Sequence, residues 1–505
     1  MLASVATFSL EGVRSHEVTV EVDVRRGLPA FTLVGLPDRA VRESRERVRA
    51  AVLNSGLEFP LKRLTVNLAP AHVQKAGPGF DLAIAVGLLA ASGQVPRESL
   101  ARCALCGELS LSGELRTVRG ALAAALGARD AGYERLIVPP ANAGEAALVD
   151  GIEVIGATAL DAIARVLRGD EEPLRARAER GHAPASSEGP DLLDVRGQED
   201  AKRALEIAAA GGHNLLMVGP PGVGKTMLAR RLPGLLPPAD VEEALEITQM
   251  HSAAGLASGR LVRERPFRAP HHTISAQGLV GGGAVPRPGE VTLAHRGVLF
   301  LDELAEFGRP ALDALRQPLE EGRVEIMRGQ RTLVFPANAI LVAACNRCPC
   351  GRAADRCRCG AGERDRYLRR LSGPLLDRLD LVCEVRPVPP AELVTGERRG
   401  PSTAAVRARV AAARTRQRRR LSGSGALCNG DMDGRLTRRR VALDPGTAAD
   451  LVAARERTHL SGRGHDRVLR VARTIADLAG RDRVATHDVE EALSYRSDGW
   501  ERLAA

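Results

Sequence analysis

The segment Gly219-Pro220-Pro221-Gly222-Val223-Gly224-Lys225-Thr226 follows the apolar run Leu215–Val218 and precedes a helix-like stretch, Met227–Leu232. A G-x-x-x-x-G-K-[ST] loop set between a strand and a helix constrains the fold more than any other feature. Its glycines let backbone N–H groups wrap phosphates where the helix begins. Lys225 is expected to bring a mobile charge to the β and γ oxygens, and the Thr226 hydroxyl to ligate Mg²⁺. The rest of the chain carries positive charge almost wholly on arginine, its only lysines being Lys62, Lys75, Lys202 and Lys225. A lysine kept in this loop suits a task that a planar guanidinium does badly. The pattern implies binding of a nucleoside triphosphate, ATP with Mg²⁺.

At 505 residues the chain exceeds the usual reach of one core, so two to four domains are expected. No apolar run is long enough to span a bilayer, and Met1–Leu10 lacks a basic start and a cleavage site. Nine cysteines, an odd number without export signals, point to reduced thiols in the cytoplasm. The formal net charge of +10 permits a polyanionic partner. Aromatics make up only 2% of residues, so stacking of bases on aromatic platforms is not expected. Any nucleic acid would be held through its phosphates, by arginine and backbone donors.

Four segments are expected. Residues 1–168 read as a mixed α/β domain, with strands at Val18–Val24 and Leu64–Leu68 and helices at Val41–Leu53 and Asp81–Ala91. Residues 169–190 are polar and rich in breakers, the composition of a linker. Residues 191–395 carry the nucleotide machinery, and 396–505 read as wholly helical.

Val298-Leu-Phe-Leu-Asp302-Glu303 is an apolar strand ending in two acids. In a buried parallel strand that end faces the nucleotide crevice. Asp302 would hold Mg²⁺ there, and Glu303 would orient and deprotonate the attacking water. A third apolar strand, Ala339–Ala344, runs into Cys345-Asn346, where the amide of Asn346 would sense the γ-phosphate. This order of strands is the layout of AAA+ ATPases, which work as rings with sites at subunit boundaries. Such a ring needs an arginine from the neighbour, and Arg378 in Leu375-Leu-Asp-Arg378-Leu-Asp380 is the candidate finger.

Three stretches closely resemble magnesium-chelatase-like AAA+ proteins of the ComM/YifB branch. They are Arg265-Pro-Phe-Arg-Ala-Pro-His-His272, Leu279-Val-Gly-Gly-Gly283 and Pro288-Gly-Glu through Leu-Asp-Glu-Leu304. Leu371–Leu381 and Arg467–Gly480 extend the match over almost the whole chain. The resemblance implies a three-layer αβα core with β-hairpin insertions and a C-terminal helical lid. It also implies hexameric DNA-helicase work in branch migration during homologous recombination and DNA uptake. By the same resemblance Arg470 falls where the lid supplies a sensor arginine; on its own it reads as a helix-surface cation.

The first segment resembles the Lon-type protease domain (a ribosomal S5 domain 2-like fold) through Lys75-Ala-Gly-Pro-Gly-Phe-Asp81, Gly107–Leu115 and Leu136-Ile-Val-Pro139. Lon chemistry needs a serine nucleophile and a lysine base. Gly79 and Leu122 stand in those places, so the fold is expected without the protease.

Two segments read as β-hairpins: the glycine-rich Leu279–Glu290, and Arg323–Phe335 with Arg328 and Arg331 near its tip. Family geometry would place both in a central pore, where arginines grip phosphate. Arg414, Arg416, Arg418 and Arg419, with Arg407 and Arg409 upstream, form the densest positive cluster, either a DNA contact or a solvated helix face. His271 and His272 are adjacent and seldom converge on one ion, which favours a structural or pore role. Cys348-Pro-Cys350 and Cys357-Arg-Cys359 would suit tetrahedral, structural Zn²⁺. Cys103, Cys106 and Cys383 sit in apolar surroundings and Cys428 in a polar loop.

The expected function is an ATP-driven homo-hexameric motor on single-stranded or branched DNA, with no membrane and no small-molecule substrate beyond ATP. The alternatives are a metal-insertion motor of the magnesium-chelatase type, against which the extra N-terminal domain and the basic cluster argue, and a protein-remodelling chaperone.

Overall fold

A computed structural model describes residues 1–71, 75, 77–178, 189–256, 259–283, 286–328, 331–352, 357–371, 373–390, 392, 400–444, 446–458 and 461–496. The chain divides into two compact units. One comprises Met1–His182, Ala244–Val262 and Met327–Val334; the other comprises Ala183–Glu243, Arg263–Ile326 and Phe335–Ala505.

The first unit contains strands β1 (Leu2–Glu11), β2 (Arg14–Arg25), β3 (Ala30–Val34), β4 (Arg63–Ala69), β5 (Cys103–Leu105), β6 (Glu108–Leu109), β7 (Leu115–Arg116), β8 (Arg135–Val138) and β9 (Glu153–Gly156). Seven of these form a sheet in the order β3-β4-β2-β1-β5-β8-β9, while β6 and β7 form a separate ladder. In β2 the alternation expected from sequence is realised: Val18, Val20, Val22 and Val24 are buried, with Val20 facing Val5 on β1 and Leu68 on β4. The helix Asp81–Ser92 is buried from Asp81 to Ala91, because it is apolar on every side and lies under the sheet. The helix Arg39–Asn54 starts where the Asp38 carboxylate accepts from Val41 N at 2.8 Å. Past the helix Leu160–Arg168, the chain still bonds along β9: Gly156 N donates to Leu174 O at 3.0 Å and Ala176 N to Val154 O at 2.8 Å. The start of the stretch expected to be a linker is thus an edge of the sheet, and residues 179–188 lie outside the described residues.

In the second unit, β10 (Leu215–Val218), β11 (Phe267–Arg268), β14 (Val298–Leu301), β17 (Ile340–Cys345) and β18 (Leu381–Glu384) form a sheet ordered β11-β14-β17-β10-β18. Every pairing in it is parallel. Residues of β10, β14 and β17 are buried throughout, which is why those strands read as unbroken apolar runs rather than alternating ones. Two short hairpins interrupt the strand order: β12 (Gly281–Gly282) with β13 (Arg287–Pro288), and β15 (Arg323–Arg328) with β16 (Arg331–Pro336). Both expected hairpins are therefore present.

The C-terminal segment is helical at Thr403–Leu421, Gly434–Arg440, Thr447–Thr458, Gly462–Leu478 and Thr486–Ser494. Ser402 and Ser461 cap two of these helices, accepting from Ala405 N and Gly464 N. Val468, Val471, Ala472 and Ile475 then join Val406 and Val410 in one core with the sheet and the helix Glu199–Gly211.

Candidate nucleotide site and the opposite sheet edge

The carboxyl ends of three neighbouring strands carry the expected nucleotide machinery. After β10 the loop turns through Gly222 (φ +79°) and Gly224 (φ +98°), backbone that a side chain rarely adopts. Gly219 is held for space, since a Cβ there would lie 2.2 Å from the Val385 carbonyl oxygen. Lys225 is buried, and its Nζ donates to Gly219 O at 2.6 Å, Pro220 O at 2.9 Å and Asn346 Oδ1 at 3.1 Å. Burial pushes its pKa down, against the raising pull of nearby Asp302 and Glu303. The Thr226 hydroxyl donates to Asp302 Oδ2 at 2.7 Å. A hydroxyl and a carboxylate so paired are the hard oxygen donors that Mg²⁺ takes. Glu303 N donates to Asp302 Oδ1 at 3.0 Å, while Glu303 itself has a left-handed backbone (φ +53°) and an exposed side chain. Its carboxylate lies 3.7 Å from His272 Nδ1, and the His271 and His272 ring centroids lie 4.1 Å apart with the planes tilted by 34°.

Sequence reasoning missed a neighbour of this loop. Gln198 (φ +61°) donates from Nε2 to Arg386 O at 2.6 Å and to Val223 O at 3.3 Å, tying the phosphate loop to the exit of β18. Gly197, Gln198, Glu384 and Val388 are among the residues lining a cavity of about 260 Å³ there, room for a nucleobase. The only signal in the sequence was Gly197-Gln198-Glu199 opening a helix.

Arg378 and Arg470 are not brought to the phosphate loop of their own chain. Both line a cavity of about 770 Å³ together with Asn214, Ala339 and Asp380, which immediately precede β10, β17 and β18. The cavity thus lies at the amino ends of the strands. A four-residue strand places its two ends roughly 10 Å apart. Arg378 is buried, donates to the Pro374 carbonyl and pairs with Glu320. Arg470 Nη1 donates to Gly430 O at 2.8 Å and Met432 O at 3.0 Å, and Nη2 lies 3.6 Å from Asp380. It therefore braces the C-terminal helices in this chain and is not the surface cation that its helix position alone suggested. Burial opposes ionisation of Asp380, but His213, whose Nδ1 lies 3.7 Å away, and the charges of Arg470 and Arg467 outweigh it, holding this carboxyl well below the usual range.

Just past the carboxyl end of β17, the Cys348, Cys350, Cys357 and Cys359 sulfurs gather within 4.8 Å of one another. Cys103, Cys106 and Cys383 are buried as expected. Cys428 is a correction: it too is buried, and burial pushes its thiol up to about 12. Of the basic run, Arg416, Arg418 and Arg419 are exposed. Arg414 is half-buried, and its Nε donates to Ala209 O at 2.9 Å within the chain. Arg407 and Arg409 are engaged by Gly234 O and Glu206. The side chains of Arg328 and Arg331 lie outside the described residues. No helix among the described residues is long and apolar enough to cross a membrane.

The three segments of the chain match three family models: Subunit ChlI of Mg-chelatase over residues 20–142, Magnesium chelatase, subunit ChlI over 191–393, and its C-terminal counterpart over 400–496. Competence protein ComM of Haemophilus influenzae is 44% identical over 504 residues, covering 98% of this chain and 97% of that protein. Protein YifB of Escherichia coli is 45% identical over 498 residues with the same coverage. A partial likeness to Lon protease 2 of Bacillus subtilis, 30% identical over 139 residues, takes in 26% of this chain and 25% of that one. Likeness along the full length, over a sheet whose strand ends carry an ATPase constellation, makes this chain a member of the magnesium-chelatase-like ComM/YifB family of AAA+ proteins.

Proposed function

We propose that the chain is an ATP-hydrolysing motor that works as a ring, a hexamer, and drives branch migration along DNA. One observation carries the ring: Lys225, Thr226, Asp302 and Asn346 meet at the carboxyl edge of the sheet, whereas Arg378 and Arg470 lie at the amino edge. Neither edge is a complete phosphoryl-transfer site, and stacking one chain's amino edge on the next chain's carboxyl edge completes it. In the completed site Lys225 leaves the loop carbonyls for the phosphates, and Thr226 with Asp302 would hold Mg²⁺, which would supply charge to offset that of the phosphates. Glu303 takes the proton of the attacking water, Asn346 reads the γ-phosphate, and Arg378 and Arg470 stabilise transition-state charge from next door. The two hairpins and exposed Arg416, Arg418 and Arg419 are the DNA-facing candidates. The name of the ComM relative, a competence protein, favours the DNA reading. The N-terminal unit is read as a Lon-like fold without protease chemistry, Gly79 and Leu122 standing where a nucleophile and a base are needed.

A second reading, a metal-insertion motor, is favoured by the names of the three family models, one of which covers the N-terminal segment as well. The ATPase rate with and without single-stranded and branched DNA, in wild type and Glu303→Gln, separates the two. Stimulation by DNA that vanishes in the variant supports the DNA motor. A rate indifferent to every DNA form refutes it.

A further inference from the structure

We propose that Cys348, Cys350, Cys357 and Cys359 bind one Zn²⁺, and that the loop this closes fixes Asn346 against the phosphate-loop lysine, so that metal occupancy governs nucleotide binding. The coupling rests on the ATPase reading above; the metal site does not.

Four thiolates on one short loop are a soft, closed donor set with no position left for substrate, the composition of a structural zinc site. Their geometry agrees. Tetrahedral Zn²⁺ with bonds near 2.3 Å sets its sulfurs about 3.8 Å apart. Here Cys348 Sγ lies 3.3 Å from Cys350 Sγ and 3.6 Å from Cys357 Sγ, and Cys350 to Cys357 is 3.7 Å. All four sulfurs, Cys359 included, fall within 4.8 Å of one another. A disulfide would draw two of them to about 2.05 Å and leave the others aside. Three sulfurs near the spacing of a zinc tetrahedron, with the fourth within 4.8 Å of each, form an arrangement that a shared ion accommodates.

The loop is also seated on the nucleotide site. β17 ends at Cys345, Asn346 follows, and buried Cys348 is two residues beyond. Between them Arg347 pairs with Glu384 at the end of β18. Gly351 N donates to Cys348 O at 3.1 Å, closing the first turn of the thiol loop. Gly351 has φ +67°, and a Cβ on it would stand 3.1 Å from the Pro221 ring and 3.6 Å from Asn346 Nδ2. So the thiol loop rests on both the phosphate loop and the asparagine that accepts from Lys225 at 3.1 Å. Outer groups that orient a working side chain control it without touching substrate, which makes the cluster a positioning device.

The test starts with metal content by mass spectrometry of protein purified under reductant, and with Co²⁺ substitution. One zinc per chain and sulfur-to-cobalt charge-transfer bands are expected. Removal of zinc by a chelator that spares Mg²⁺ is expected to weaken binding of a fluorescent ATP analogue about tenfold, the worth of one charge-assisted hydrogen bond, and zinc is expected to restore it. Cys350→Ser with Cys359→Ser is expected to reproduce the loss; circular dichroism checks the fold, and the chelated wild type gives the answer if that variant fails to fold. Zinc far below one equivalent without cobalt uptake overturns the proposal, as does iron in its place. A full zinc complement whose removal leaves ATP affinity unchanged overturns the positioning role. If the zinc-loaded protein binds metal but no nucleotide, the ATPase reading fails and the coupling fails with it, while the metal site stands.

Discussion

Mixing two inactive variants measures whether the site is shared between chains. Arg378→Ala removes the candidate finger, and an arginine in this role is worth about 10³–10⁵ in rate. Glu303→Gln removes the candidate base, so each variant alone falls to background. Within one chain Arg378 opens onto the amino-edge cavity, and the four residues of β10 separate that edge from the phosphate loop by roughly 10 Å. The intact arginine of one variant must therefore serve the intact glutamate of the other. In rings assembled at random from equal parts, an interface needs an intact base on one side, a chance of one half, and an intact finger on the other, again one half. About one quarter of interfaces qualify, and phosphate release is expected to recover to about one quarter of the wild-type rate. Had both groups worked within one chain, no chain in the mixture would hold both, and the rate would stay at background. Fluorescence energy transfer between labelled chains verifies exchange of subunits. Doping Arg378→Ala into wild type detects strictly sequential firing, which falls faster than linearly. Background activity in well-exchanged rings, with a linear doping curve, refutes the shared site.

Three further outcomes are expected. Thr226→Val deletes the hydroxyl that donates to Asp302 at 2.7 Å, so turnover should fall about 10²–10³-fold; a magnesium titration of steady-state ATPase reads it, and a drop under fivefold contradicts the assigned role. Asp380 has a depressed folded pKa, so its contribution to stability is complete above about pH 4 and is lost as pH falls toward the folded value. Asp380→Asn should cost about 3–5 kcal/mol at neutral pH and flatten the acid limb of urea melts taken between about pH 2.5 and 5; an unchanged limb would falsify the assignment. If Arg328 and Arg331 each neutralise one phosphate, replacing both with alanine should lower the log–log salt slope of DNA binding by about 2, and an unaltered slope removes the hairpin from the DNA interface.

Legibility in the sequence followed locality. The phosphate loop was readable because its glycines answer to backbone angles that the chain itself fixes, as at Gly222 and Gly224. Strands β10, β14 and β17 were readable because burial on both faces leaves an unbroken apolar run. Cys428 was not, since its polar neighbours Asn429 and Asp431 are local whereas its sulfur sits against Gly212, far back along the chain, where a Cβ would stand 2.5 Å away. The arginine run of the helix Thr403–Leu421 left two readings open for the same reason. Arg409 and Arg420 pair with Glu206 and Asp477 at 2.5 Å, acids 203 and 57 residues away, and no local pattern marks which arginines turn inward. Gln198 escaped because a single glutamine at a turn has no period to betray it.

The order of elements along the chain gives the motor reading its mechanical sense. The β15–β16 hairpin lies in the chain between β14, which the acid pair follows, and β17, which Asn346 follows. The β12–β13 hairpin falls between β11, with His271 and His272 just beyond it, and the start of β14. The β15–β16 hairpin therefore lies in the chain between the two strands that the candidate base and the candidate sensor follow, and the β12–β13 hairpin leads into the first of them. On the motor reading, a load on either hairpin would pass along the chain to those strands, since close-packed interiors transmit strain. The short distance from Glu303 to His272 closes the circuit, because it ties the candidate base to the segment leading into the first hairpin. Hairpins placed instead after β18, beyond every catalytic strand end, could grip DNA equally well and would have no such hold on the timing of hydrolysis.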